Sequence, residues 1–315
     1  MDVEPRVSIG LPVYNGQQYL RQALDSLLAQ TYGDFEVIIS DNASSDATPE
    51  ICRDYAARDP RIRYVRHDIN RGAAWNFNYV FGLARGVYFK WHAHDDMLEP
   101  TFLEQTVAAL DRNPQFVVAH ARTRVVDAAG ATLYTYDEHL RTESPLPSVR
   151  FRDLICIGHP CFQVFGLMRA DVLRRTPLIG NYVPSDRILL ARLGLLGMFY
   201  EAPEYLFISR RHPSQSVRAA KLRARAAWFD PANDGKIVMP YFRTLYEYVK
   251  AIRETPLPLD ETRRCYGALL HWIASDRNWA RLGNDVVQAG RQIAVRAVRR
   301  IRKSPLDPVT RENLL

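Results

Sequence analysis

The chain has 315 residues, 47% of them hydrophobic and 24% charged, with a formal net charge of +7. This is the composition of a folded globular protein and excludes a disordered chain, a collagen and a small disulfide scaffold. No apolar run reaches the roughly 18 residues a membrane span needs, the first residues lack an apolar stretch of signal-peptide type, and four cysteines without a Cys-x-x-Cys spacing point to buried thiols in a reducing cytoplasm.

Arg6–Val13 reads as a strand and Asn15-Gly16 as a turn signal. Tyr19/Leu20, Ala23/Leu24 and Leu27/Leu28 then recur at helical spacing. Phe35–Ser40 is a second strand, followed by the polar loop Asp41–Asp46. Thr48-Pro49 is expected to open a helix as cap and first-turn proline. Ile62–Arg66 is a third strand, about Ala73–Ala84 a helix, and Val87–Trp91 a fourth strand. This alternation predicts βαβ units and a largely parallel sheet. Right-handed crossovers put the strand C-termini on one edge, where open α/β sheets bind ligands. Three polar clusters fall at those ends: Pro12–Asn15, Asp41-Asn42 and His92–Asp96. Gln115–Tyr136 reads as strand, bend at Asp127–Gly130, strand. Residues 137–150 read as loop and 150–212 as short mixed elements. From Pro213 the chain reads mostly as helix, broken at Pro256-Leu257-Pro258 and ended by Ser304-Pro305.

Asp95-Asp96 is the sharpest chemical feature. Two adjacent carboxylates repel and call for a counter-charge; Mg²⁺ or Mn²⁺ suits oxygen ligands and would also bind a diphosphate. A helix N-terminus near Glu99-Pro100 accounts for the acids equally well. Neither a Gly-x-Gly-x-x-Gly nor a P-loop pattern occurs. Trp75, Trp91 and the Tyr241–Tyr248 stretch read as core rather than as sugar platforms.

In sequence order, Val7–Asn15, Leu24–Thr31, Phe35–Thr48, Asn70-Arg71-Gly72 with Asn76, and Gly86–Asp96 resemble the motifs of family 2 glycosyltransferases, closely over about residues 6–115 and less closely to about 216. The resemblance implies a GT-A, Rossmann-like α/β fold: a mostly parallel central sheet flanked by helices, here with a helical C-terminal extension. It divides the chain into a glycosyltransferase domain, 1–216 (nucleotide-sugar half about 1–115, acceptor half about 116–216), and a helical, basic extension, 217–315. It implies an inverting, hexosyltransferase-type enzyme with a nucleoside-diphosphate sugar as donor, uridine favoured because Asp41 and Arg71 match the uridine-using pattern. A glycan or lipid-linked acceptor of polysaccharide or cell-envelope synthesis goes with it. By the same resemblance Pro12, Tyr14 and Asn15 belong to the donor pocket, Asp41 accepts a hydrogen bond from the base with Arg71 nearby, Asp95 approaches ribose and sugar, and Asp96 holds the Mn²⁺ or Mg²⁺. Ala93 stands where many relatives carry a first acid, leaving His94 to compensate.

Pro184–Leu193 resembles the segment whose acid is the general base, which carries that role to Asp186. Ser185 replaces the preceding Glu, and a plain helix cap is the competing reading. Arg210–Ser216 resembles the "R-x-H-x-S-x-S" tail, where Arg211 and His212 reach the diphosphate or form a solvated basic turn. His159 lies in the loop that relatives place beside the acceptor, though a lone His is more often structural. The lost acids at Ala93 and Ser185 leave a non-catalytic nucleotide-sugar-binding domain as the alternative. A nucleotidyltransferase would instead carry a Gly-rich basic loop after strand one.

Residues 281–315 carry +5 of the net charge. Their arginines lack interleaved aromatics, so no nucleic-acid partner is expected. Ala294, Ala297, Val298 and Ile301 repeat at three and four residues. Two readings stand: a terminal helix packed on the body, or an interfacial helix in peripheral contact with an anionic membrane at its cytoplasmic face.

Overall fold

A computed structural model describes residues 4–137, 139–213, 215, 239–275 and 277–303. Strands β1 (Val7–Val13) and β2 (Phe35–Asp41) are buried at every position, which is why neither alternates strictly between apolar and polar residues. With β3 (Ile62–Arg66), β4 (Tyr88–Trp91), β5 (Met97–Leu98), β6 (Phe116–Val126), β7 (Thr132–Tyr136), β8 (Leu167–Arg169) and β9 (Met198–Arg210) they form one sheet, ordered β3-β2-β1-β4-β8-β6-β9-β5 with β7 on β6.

Strands β1 to β4 are parallel, β8 is antiparallel to both β4 and β6, and β9 is parallel to β6. Strands β6 and β9 therefore point the same way as β1–β4. The expected edge exists, and Val13, Asp41, Arg66, Trp91, Val126 and Arg210 end on it.

Helices α1 (Leu20–Leu28), α2 (Thr48–Arg58) and α4 (Phe102–Arg112) cover one face, packing on Val7, Ile9, Leu11, Val37 and Ile39. Helix α1 seats Leu20, Leu24 and Leu27 there, each worth roughly 1.5–3 kcal/mol on burial. Helix α3 (Ala73–Gly82) packs on the other face with α5 (Pro147–Cys156) and α7 (Ser185–Leu196), against Ile38, Phe89, Trp91 and Met168; the short α6 is Ala170–Arg174. Trp91 is core, as read. Trp75 is only half-buried.

Helices α8 (Pro240–Glu254), α9 (Leu259–Ala274) and α10 (Asn278–Lys303) follow. Helices α8 and α9 share a core with α5 and α7, made of Phe151, Ile188, Tyr248, Ile252, Leu269 and Trp272 among others. The buried Arg192 of α7 pairs with Glu247 at 3.3 Å and Glu254 at 2.8 Å on α8. The expected boundary at 216/217, the end at Ser304-Pro305 and the 217–238 stretch lie outside the described residues.

Several local expectations change. Thr48 is the first helical residue and not the cap: its hydroxyl accepts Gly16 N–H at 2.8 Å, while Asp46 Oδ1 accepts Thr48 N–H at 3.0 Å. Helix α5 begins at Pro147, inside the segment read as loop, because Glu261 of α9 accepts Ser148 N–H at 2.8 Å. Helix α9 also ends at Ala274 and α10 begins at Asn278, with no proline between them in the sequence.

Candidate active site

The loops leaving the shared edge carry three groups of side chains. The first follows β1 and β2. Asn15 takes a positive φ of 51°, which Asn tolerates better than most residues. Its N–H donates to Ser44 Oγ and its Oδ1 accepts Ser45 N–H, both at 2.9 Å. Gly16 is needed by contact: an added Cβ would lie 2.7 Å from Val13 Cγ2 and 2.8 Å from His94 Cδ2. The turn after β1 thus closes directly on the His94 ring. Pro12 is buried and Tyr14 exposed.

Asp41 is fully buried, and both oxygens are engaged: Oδ1 accepts Ser44 N–H at 2.8 Å, and Oδ2 accepts Tyr64 Oη–H at 3.0 Å beside Arg66 at 3.5 Å. Both oxygens are thus already engaged inside the fold, and the residue has no exposed surface. Asn42 fastens the next loop, donating to Asn70 Oδ1 and Gly72 O and accepting Arg71 N–H at 3.0 Å. This sets the Arg71 guanidinium 4.7 Å over the Trp75 ring, which stacks on Tyr79 at 4.8 Å. Asn76 donates to Ser40 O at 2.9 Å, so its place in the motif is explained by joining α3 to β2.

The second group follows β4 and β9. Asp95 Oδ2 lies 2.9 Å from His212 Nε2, and Gln215 Nε2 donates to the same oxygen at 3.4 Å. Asp96 sits deeper, its Oδ1 accepting Arg210 N–H at 2.9 Å. Burial would raise the Asp95 carboxyl, but His94 and the hydrogen bonds from His212 and Gln215 hold it below the ordinary carboxylate range. Burial and then the charge of Asp95 push Asp96 well above it. Two adjacent acids are thereby driven apart, one ionised and outward, one inward and readily protonated.

Arg210 holds this arrangement, and sequence reasoning passed it over for Arg211 and His212. Its guanidinium donates to Asp95 O at 3.1 Å, Ala128 O at 3.1 Å and Gln22 Oε1 at 2.6 Å, and lies 4.6 Å over Tyr19. Arg211 lies 5.8 Å over Phe162, and the His212 ring is 4.7 Å from Tyr19. Arg210 is itself the Arg of the "R-x-H-x-S-x-S" tail, so the motif marked it, although the diphosphate contact was expected of Arg211 and His212.

The third group is at α7. The helix starts at Ser185, with no side-chain cap. Asp186 is half-exposed in the first turn, and its Oδ1 accepts only Arg187 N–H, at 2.8 Å, among the described hydrogen bonds. The N-cap position, Pro184, makes no side-chain cap, and the Asp186 bond takes up one N–H of the first turn. Arg187 clamps the preceding loop, donating to Leu154 O and Ile157 O at 3.1 Å and His159 O at 2.6 Å. His159 does not present its ring outward as an acceptor-side group would. It is buried, with Nε2 3.3 Å from Leu154 O and Nδ1 accepting Cys161 N–H, and burial pushes its pKa down to about 4. Phe162, four residues beyond Gly158, carries this loop to Arg211.

Among the described residues no three His, Cys, Asp or Glu side chains converge to hold a cation unaided. Asp95 and His212 supply two donors, and the far nitrogen of that imidazole, Nδ1, is buried without a partner. Mg²⁺ commonly takes one or two carboxylates and completes its shell with substrate phosphates. The pair fits a cation of that kind.

The glycosyl transferase family 2 pattern matches residues 8–175. An uncharacterized protein of Mycobacterium tuberculosis is 33% identical over 222 residues, 68% of this chain and 61% of its own length. The chain thus spans about three fifths of that curated relative. An uncharacterized glycosyltransferase of Rickettsia prowazekii is 34% identical over 226 residues, 69% of this chain and 67% of its own. Among solved structures, S. aureus TarS 1-349 in complex with UDP-GlcNAc aligns with a TM-score of 0.65 at 14% identity, over 91% of this chain and 81% of that one. The mannosyltransferase PcManGT from Pyrobaculum calidifontis, in complex with GDP-Man and Mn²⁺, aligns at 0.55 and 18%, over 94% and 76%. At such identities the likeness shows the fold, and it is the expected GT-A fold.

Proposed function

The chain belongs to glycosyl transferase family 2, and from that premise we propose that it moves a hexosyl group from a uridine-diphosphate sugar to a hydroxyl of a glycan or glycolipid, with inversion. The observation that carries this reading is the Asp95–His212 pair at 2.9 Å, held by Arg210 on the edge where five parallel strands and β9 end.

Asp186 is the base in this reading. Its carboxylate takes the acceptor hydroxyl proton as that oxygen attacks the anomeric carbon. The bond from that carbon to the diphosphate oxygen breaks, and its electron pair leaves with the diphosphate. Arg211 and His212 face the charge that develops there. Tyr14 and Arg71 are the groups left to reach the base and ribose, with Asp41 as the floor beneath them. The cation, held by Asp95 and His212, would supply Lewis-acid neutralisation of the departing diphosphate. The burial of Asp96 favours this donor pair over Asp96 with His94. Peripheral membrane contact through the basic C-terminal helix belongs to the same proposal.

Thermal unfolding against UDP, GDP and CDP, each with Mn²⁺ or with chelator, tests the donor site. UDP with Mn²⁺ should raise stability by about 2.7 kcal/mol at 100 times its dissociation constant, and chelator should remove most of that gain. Equal shifts with all three nucleotides would remove the uridine assignment, and no shift with any would remove the donor site.

A further inference from the structure

Helix α10 meets the protein and the solvent with different faces. Asn278, Leu282, Asp285 and Ala289 are buried. Asn278 Nδ2 donates to Trp272 O at 2.8 Å, and Asp285 Oδ2 accepts Tyr241 N–H at 2.8 Å and Phe242 N–H at 3.2 Å. That face is fastened to α8 and α9. Beside it Trp279, Val286, Val287 and Ile293 are 64%, 53%, 51% and 57% exposed. Gly283 and Gly290 fall between them. At 3.6 residues per turn these six positions share an arc of about 120°. Ala294, the first of the repeat seen in the sequence, falls in the same arc. Over the described side chains this stripe is turned away from the body, so packing on the body does not account for it; side chains from 295 onward lie outside the described residues.

The charges decide what the stripe fits. Residues 278–303 hold seven Lys/Arg and one acid, and that acid, Asp285, is on the buried face. A second copy docking stripe to stripe would bring two arginine-rich helices together, whereas helix pairs that associate this way carry complementary charges. A nucleic acid would use the arginines and leave the apolar stripe in water. An anionic bilayer uses both: the stripe enters the headgroup boundary while the arginines meet lipid phosphate, at about 1 kcal/mol per cation near the surface. Tryptophan suits that boundary. No helix among the described residues is long and apolar enough to cross a membrane, so contact would be from one side. We propose that the Trp279–Val286–Val287–Ile293 face of α10 docks the protein on an anionic phospholipid surface.

The inference deepens the membrane contact proposed above and is independent of sugar transfer, because vesicle binding needs no donor. A chain that turns over donor but ignores vesicles fails here alone. Co-sedimentation of the full chain with phosphatidylcholine vesicles, and with equal phosphatidylcholine and phosphatidylglycerol, is the test. Binding to the anionic vesicles should exceed binding to the neutral ones by at least about tenfold and weaken as salt is raised. The triple variant Val286→Ser, Val287→Ser, Ile293→Ser should melt like the parent and bind about tenfold less. Equal binding to both vesicle types, or an unchanged triple variant, overturns the proposal. So does a dimer in light scattering that the triple variant dissolves while neither protein binds vesicles; that outcome assigns the face to a second copy.

Discussion

Asp186→Asn lowers turnover by about 10²–10⁴-fold, the usual contribution of a positioned general base, and leaves UDP affinity within a few fold. Asn keeps the side-chain volume, and its oxygen still accepts Arg187 N–H, the bond seen at 2.8 Å. The start of α7 and the Arg187 clamp on the 157–159 loop therefore persist, and what is lost is the proton acceptor. Steady-state kinetics with a saturating donor, alongside UDP binding by calorimetry, separates the two quantities. Near-normal turnover in the variant would reduce Asp186 to a local backbone partner of Arg187.

Asp95→Asn and Asp96→Asn have very different consequences, although the residues are adjacent. Asp95 is the ionised, outward member and touches His212. Its loss should cost on the order of 10²–10³ in turnover, the scale for removing one preorganised charge-stabilising group, and abolish the Mn²⁺-dependent part of UDP stabilisation. Asp96 is buried, and its carboxyl is pushed towards the neutral form by burial and by Asp95. Asn resembles that neutral form and can still accept Arg210 N–H, so Asp96→Asn should stay within about tenfold of the parent. Melting curves with and without Mn²⁺ read both variants. A severe Asp96→Asn with a mild Asp95→Asn would restore the ligand assignment that the motif alone suggested.

The half of the sheet formed by β1 to β4 was legible because short strands rich in β-branched and aromatic residues alternate with helical spacing and are bounded by turn residues, and its polar ends followed from the parallel topology. The ordered motifs placed the family 2 resemblance on the strands and loops of this half, where the family pattern matches. What the sequence hid depends on contacts between distant segments. Arg210 looks like one of three basic residues until β9 brings it beside Asp95, Ala128 and Gln22. The start of α5 is set by Glu261, far along the chain. Asp41 and His159 matched their motif positions in type, yet Tyr64 and Arg66 in one case, and Leu154 and Cys161 in the other, take up their polar atoms. Strand β8 enters antiparallel between β4 and β6, and its three residues are too short a run for periodicity to reveal.

The central claim is transfer from a nucleotide sugar, and the most direct measurement is release of free UDP from UDP-sugars by the full chain with Mn²⁺, with and without a mixture of glycan and lipid-linked acceptors. The account predicts UDP release that rises when acceptor is added and collapses in Asp186→Asn. No nucleoside diphosphate released from any UDP-, GDP- or CDP-sugar, under conditions where UDP stabilises the fold, would contradict it and leave a domain that binds nucleotide sugar without transferring it.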